Sequence, residues 1–223
     1  MKAVARFSLA ALALGLVAAP ASAQLAGLPV VYMPAGTGVT IGGMFGRGLN
    51  NDSGKFSSAG GMVTIGLPSF WVGAGASYFD FSTLKDISFG GQAGFKIPLP
   101  PSTPVSLGIV AGASYMSNDF GGALGSIKTL FIPAGATIAF NVPSTGVSVT
   151  PWASPQFRYV RVSNGTSASN SSWGVSGGVG IGLPMGIGFD LALDYDGESK
   201  GMVGGVGLHY TIKTPGLGGG AGM

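Results

Sequence analysis

The chain contains no cysteine. That excludes a disulfide-stapled secreted domain, a cysteine nucleophile and a zinc–thiolate site. Charge is nearly as scarce: Asp, Glu, Lys and Arg make up 9% of the 223 residues, against about 25% in an ordinary soluble domain. Long apolar runs are also missing. Beyond the N-terminal stretch, no segment supplies the roughly 20 uninterrupted apolar residues that a spanning helix needs. Yet the mean hydropathy is +0.47. So apolar and weakly charged a chain, without spanning helices, is hard to reconcile with a soluble protein. A sheet closed into a barrel, with apolar side chains facing lipid, resolves the conflict.

The net charge is +3, and Lys2 and Arg6 supply much of it. The rest of the chain is close to neutral, which gives no case for a nucleic-acid partner. Those two residues open a recognisable segment. Met1 to Arg6 is basic, Phe7 to Ala19 is apolar, and Pro20-Ala21-Ser22-Ala23 carries small residues at the spacing of a cleavage site. This reads as a secretory signal peptide spanning 1–23 and cleaved after Ala23. About 200 residues then remain, enough for one domain.

What the chain has in abundance is glycine, 42 residues, without the three-residue period of collagen. Most glycines fall inside segments of alternating polarity. Ten such segments are legible. The clearest sets Trp173, Val175, Gly177, Val179, Ile181 and Leu183 against Ser172, Gly174, Ser176, Gly178, Gly180 and Gly182. The third is ambiguous, because Trp71 and Phe79 oppose Phe70, Val72 and Tyr78. The joints between segments alternate in kind. Four are tight and proline-marked, at Pro68, Pro98 to Pro104, Pro143 and Pro184. Those between them are polar: Asn50 to Lys55, Ser82 to Asp86, Ser117 to Lys128, Ser163 to Ser171 and Gly197 to Gly201. One blunt end and one looped end is the pattern of a transmembrane β-barrel.

Sidedness supports that pattern. The second face of each segment is Gly, Ser and Thr, which suits a narrow lumen better than a solvated sheet. Aromatics gather in two bands. Phe45, Phe81, Tyr115, Tyr159, Trp173 and Tyr195 lie near the polar joints; Phe70, Phe95, Phe140, Phe189 and Tyr210 lie near the proline turns. Pro133, Pro151 and Pro155 predict a bulged or poorly paired patch between strands six and seven, because proline removes a ladder hydrogen bond. Residues 24–36 form a lead-in or a segment tucked into the lumen, 37–212 the barrel, and 213–223 a flexible Gly-rich tail.

The inner face collects the unusual polar groups: Gln92, Lys96, Arg158, Asp190, Asp194 and His209. The eighth strand presents only Gly and Ser inward, which leaves room for Arg158 to reach Asp194. Counting from the Gly197–Gly201 turn sets Asp190 near His209. Enclosed charges need partners, so these residues are expected to form one lumen network. It would act as a stabilising plug or, alternatively, as a polar constriction. No catalytic, cofactor or metal constellation emerges. Calcium at Asp194, Asp196 and Glu198 is disfavoured, since carboxylates beside a turn are usually just solvated. The sole histidine lies at the proline-turn end, away from the rim where a lipase-like barrel would need it.

These features resemble the small single-chain barrels of the bacterial outer-membrane protein A/X type. The resemblance spans residues 1–23 and 37–212 and is architectural. It implies an all-β, closed, antiparallel up-and-down barrel, most readily of 10 strands, with 8 or 12 as alternatives. It also implies a C-terminal assembly signal, which Gly205, Leu208 and Tyr210 match in part, although the chain runs on past Tyr210. The implied partners are the lipid bilayer with lipopolysaccharide and the outer-membrane assembly machinery, for a monomeric protein with no enzymatic activity. The expected role is structural or surface-exposed with an occluded lumen. The alternatives are a narrow solute channel and a secreted soluble β-barrel that binds a ligand.

Overall fold

The computed structural model describes residues 25–29, 37–81, 84–100, 102–119, 126–142, 145–164 and 166–213. The expected signal peptide and the tail beyond Lys213 lie outside them. Ten strands account for nearly all the described chain: β1 (Gly38–Gly48), β2 (Phe56–Gly66), β3 (Phe70–Phe81), β4 (Leu84–Ile97), β5 (Val105–Asp119), β6 (Ser126–Phe140), β7 (Ser148–Asn164), β8 (Thr166–Gly182), β9 (Ile187–Asp196) and β10 (Met202–Lys213). Each pairs antiparallel with its sequence neighbours, and β10 closes on β1. Among the described residues no helix is long and apolar enough to cross a membrane.

Register fixes the barrel's girth. Hydrogen-bonded partners lead from Gly38 through Gly66, Trp71, Gly94, Val110, Gly135, Gln156 and Gly174 to Asp196. Carried through β10, the row returns to β1 at Asn50, twelve residues above its start (38 to 50). Ten strands with that stagger tilt by about 40° and enclose a backbone cylinder of roughly 10 Å radius. Such a lumen is narrow, and inward side chains decide whether it is open.

Pleating sends alternate residues in and out. Outward stand Ile41, Val63, Ile109, Leu191, Leu193, Val206 and Leu208, each about half exposed. Inward stand Thr40, Thr64, Ser77, Ser88, Gln92, Ser154, Ser176 and Asp190, all buried. An apolar exterior around a polar interior is the inverse of a soluble sandwich and matches a barrel made for lipid. The ambiguous third strand resolves with Trp71 and Phe79 inward, 2% and 4% exposed; Phe81, expected in the loop-side aromatic band, shares their parity and packs on the inward cluster of Phe56 and Phe79 instead. Phe70 and Tyr78, both outward on β3, mark the two aromatic bands. At ~3.3 Å per residue and the tilt above, they stand roughly 20 Å apart along the axis.

One expectation is corrected, and another is met in one of its two forms. Ser163 to Ser171, expected as a polar loop, is ladder: β7 and β8 stay paired up to Asn164 and Thr166. Polar residues beyond the lipid zone lose no backbone bonding by continuing the hairpin. The patch expected between β6 and β7 is poorly paired and not bulged. Their register is constant from Lys128↔Ser163 to Ala139↔Trp152, with pairing interrupted opposite Ser154 and Pro155. Pro155 has no N–H to offer, and Ser154 Oγ donates instead to the Ala136 carbonyl at 3.0 Å.

Candidate functional site

The lumen holds the buried polar groups and is the candidate site. Its proline-turn half is crossed by an apolar layer: Trp71 on β3, Val110 on β5, Ala139 on β6, Trp152 on β7 and Ala192 on β9, with Met44 packed against them. Trp71 fits because Gly94, its partner across the strand pair, has no side chain; a Cβ there would sit 2.1 Å from the indole.

On one side of the other half, Arg158 of β7 reaches over β8 to β9. Its Nη2 donates to Asp194 Oδ1 at 2.5 Å, and its Nη1 lies 3.5 Å from Asp196 Oδ2. Gly174 of β8 makes the crossing possible, since a Cβ there would lie 2.2 Å from the guanidinium carbon. Ser176 Oγ donates to Asp194, and Ser172 Oγ to Asp196 at 2.9 Å. Arg158 and Asp194 are 1% and 0% exposed. The other carboxylate oxygen of Asp196 accepts the backbone N–H groups of Glu198 and Ser199, tying the pair to the β9–β10 turn.

The opposite side of that half is filled by the chain's own N-terminal region. Residues Leu25, Leu28 and Pro29 are fully buried inside the barrel. The Ala26 carbonyl accepts from Ser58 Oγ at 2.9 Å and Ser77 Oγ at 3.1 Å, and its N–H donates to Ser88 Oγ at 3.4 Å. Leu25 and Leu28 pack on Met62 and Met44. Pro29 rests against the seam where the barrel closes. There the paired residues Gly46 and Gly205 face inward, and a Cβ on either would strike the segment: Gly27 O at 2.2 Å from Gly46, Pro29 Cγ at 2.4 Å from Gly205. Of the two expectations for this region, lumen segment is the one observed for residues 25–29.

The polar residues expected to form one network fall into separate groups. Arg158 meets Asp194 and, additionally, Asp196. His209 Nδ1 is 2.7 Å from Asp190 Oδ2, near the proline-turn end of β10. Gln92 donates from Nε2 to Met62 Sδ at 3.2 Å, against the N-terminal segment's apolar contacts. Lys96 stands on β4, across the barrel from both ion pairs. The separation is geometric: β4 and β9 are on opposite walls. Asp196 was missed as a partner of Arg158, though its even number puts it on the same face as Asp190 and Asp194. The possible calcium ligands are engaged elsewhere; Glu198 accepts from Asn170 Nδ2 at 2.8 Å. Gly205 bears on Pro29, while Leu208 and Tyr210 face outward, 54% and 49% exposed.

No family model matches the chain, and no curated protein matches it. Solved structures do. The β domain of the Bordetella autotransporter BrkA aligns with a TM-score of 0.53 at 10% identity, over 79% of this chain and 100% of that one. The N-terminal barrel of Pseudomonas aeruginosa OprF aligns at 0.38 and 9% identity, over 80% and 99%. The Escherichia coli outer-membrane protease OmpT aligns at 0.40 and 10% identity, over 79% and 94%. The fold is that of the bacterial outer-membrane β-barrels, in a closed ten-stranded, all-antiparallel form.

Proposed function

We propose that this protein is an integral outer-membrane barrel whose lumen is closed, and that it serves a structural or surface-exposed role and does not conduct solutes. The orientation puts the proline turns in the periplasm and the polar turns outside. The observation that carries closure is the occupation of the lumen by residues 25–29. They lie in the loop-side half, opposite the Arg158 cluster, above the apolar layer of Trp71 and Trp152. Two obstructions of different chemistry at different depths oppose a water column better than either alone: the apolar layer dewets, and the polar half is occupied by the Arg158 cluster on one side and residues 25–29 on the other. No catalytic role is assigned, because His209 is engaged with Asp190 inside the lumen.

The test has two parts. The mature chain should fractionate with outer membranes and migrate faster on a gel unheated than heated. Reconstituted in planar bilayers, it should be electrically silent at voltages that leave the bilayer intact. A steady, ohmic single-channel current from the intact chain would overturn closure. A variant lacking residues 24–36 keeps all ten strands, so it separates closure by the segment from closure by the wall. Recovery of the protein as a soluble secreted species would overturn the membrane assignment.

A further inference from the structure

Residues 25–29, Leu-Ala-Gly-Leu-Pro, do more than fill the loop-side half of the lumen. The Leu28 N–H donates to the Leu25 carbonyl at 3.2 Å, which closes a tight turn. Gly27, third in that turn, has a φ of +73°, the left-handed value that a type II turn demands of its third residue. Such a turn leaves the N–H and the carbonyl of its second residue, Ala26, without a partner inside the turn. The barrel wall supplies both. Ser58 of β2 and Ser77 of β3 donate to the carbonyl, and Ser88 of β4 accepts from the N–H. The three serines come from three adjacent strands, and each is at most 2% exposed.

Filling a lumen needs only volume, whereas this fit specifies a sequence. The serines read backbone, which any residue offers at the second position, so selectivity falls on the others. Leu25 and Leu28 enter an apolar pocket with Met62 and Met44. Gly27 is required twice, by its φ and by space: a Cβ there would lie 2.7 Å from the Phe79 ring and 2.8 Å from Ser58 Cβ. Pro29 seats on the glycine seam between β1 and β10. The segment carries no charged side chain, so no side-chain ion pair anchors it. Its walls, β1 to β4 and β10, are fixed to one another by continuous ladders, so the shape of the site does not depend on the occupant. The apolar layer of Trp71 and Trp152 floors it on the proline-turn side. A vacated site is thus a preformed cup facing the polar turns, complementary to a turn of polypeptide.

We propose that this half of the lumen is a binding site for a polypeptide turn of the pattern apolar–small–glycine–apolar, with residues 25–29 as its tethered occupant. The partner is a surface or secreted polypeptide that presents the same turn and takes the site when the tethered segment leaves. This deepens the surface-exposed role proposed above and rests on its orientation, which sets the side from which the partner arrives. Peptide uptake is read in detergent. Its failure is therefore distinct from failure of closure, read by conductance, and of the membrane assignment, read by fractionation.

The experiment uses a labelled peptide of residues 24–36 and the refolded mature chain in detergent, read by fluorescence anisotropy. Gly27→Ala in the chain should expel the segment and admit the peptide; cleavage near residue 29 by added protease shows the expulsion. The intact chain should take up the peptide at least about tenfold more weakly, because a short tether gives its own segment an effective concentration of about millimolar. A peptide that itself carries Gly27→Ala should not bind. Adding Ser58→Ala and Ser77→Ala to the Gly27→Ala chain should weaken uptake about tenfold, the worth of two neutral hydrogen bonds. A folded Gly27→Ala chain that is cut yet takes up no peptide would overturn the site, and one that stays uncut would overturn the glycine requirement. Equal uptake of the two peptides would overturn recognition of the turn. Displacement of the labelled peptide by lauric acid as readily as by unlabelled peptide would overturn a polypeptide ligand in favour of an acyl chain. Heat-modifiable migration establishes that each variant is folded before its uptake is read.

Discussion

Replacing Asp194 with alanine tests whether the Arg158 cluster is part of the barrel's stability. The substitution removes a charge-assisted hydrogen bond of 2.5 Å from a guanidinium that is 1% exposed. It also leaves Ser176 Oγ without its acceptor. Breaking a buried pair by deleting one partner costs about 3–5 kcal/mol, because the remaining charge stays desolvated. Asp196, 3.5 Å from Arg158 and 11% exposed at its side chain, partly compensates. That places the expected loss near the lower limit, about 3 kcal/mol, or roughly two powers of ten in the folding equilibrium. Urea unfolding in lipid vesicles, followed by fluorescence of Trp71, Trp152 and Trp173, gives the number. A control removes the whole charge pair: Arg158→Met with Asp194→Leu should recover most of the loss, since apolar replacement of a buried pair is often neutral. If Asp194→Ala lies within about 0.5 kcal/mol of the intact chain, as a surface change would, then water or Asp196 already satisfies Arg158 and the argument from burial fails.

Other outcomes follow from the same geometry. Gly46→Val should drive the N-terminal segment off the seam, since even a Cβ meets Gly27 O at 2.2 Å. Added protease should then cut near residue 29 in the folded barrel, where the intact chain resists. Leu191→Lys, on the lipid face of β9, should cost about 2–4 kcal/mol in vesicle unfolding if the site is near the bilayer midplane; a negligible cost would count against a lipid-facing β9. Ser154→Ala should cost about 1 kcal/mol in the same assay, because the Ala136 carbonyl loses the donor that replaces Pro155's missing N–H.

Strand count, closure and sidedness were legible because each follows from a period of two and from composition. Val39 to Phe45 and Trp173 to Leu183 announce both their faces without any tertiary knowledge. The third strand was not legible on the same grounds. Trp71 and Phe79 are large and apolar, and nothing local says that the lumen is where they fit. What admits Trp71 is Gly94 on the next strand, a condition set by register and invisible to a single-segment reading. The contact of Arg158 with Asp194 was foreseeable because β8 is uniformly small inside. Its second partner, Asp196, depended on how the β9–β10 turn presents that carboxylate. Lys96 and Gln92 share the polar, inward character of Arg158, but parity says only which face a residue takes. Which wall of the barrel it occupies requires the strand order.

The glycines of the inner face have a use that composition alone conceals. A lumen lined by glycine reads as a candidate pore, since nothing projects toward its axis. Here several of the inward glycines lie under something large. Gly94 lies under Trp71, Gly135 under Gln156, Gly174 under Arg158, Gly188 under His209, and Gly46 with Gly205 under Gly27 and Pro29. A cylinder of roughly 10 Å backbone radius cannot take ten long side chains in one layer. It can take a few if each folds sideways over a neighbour reduced to hydrogen, which is the alternation of large and small that fills small barrels. Each of these glycines therefore marks a place already taken. The high glycine content, which at first suggests space, is the condition under which indoles, a guanidinium, an imidazole and a folded-back piece of chain can occupy the lumen together. Enlarging a glycine in this barrel should accordingly displace whatever covers it, and so loosen the interior, before it narrows anything.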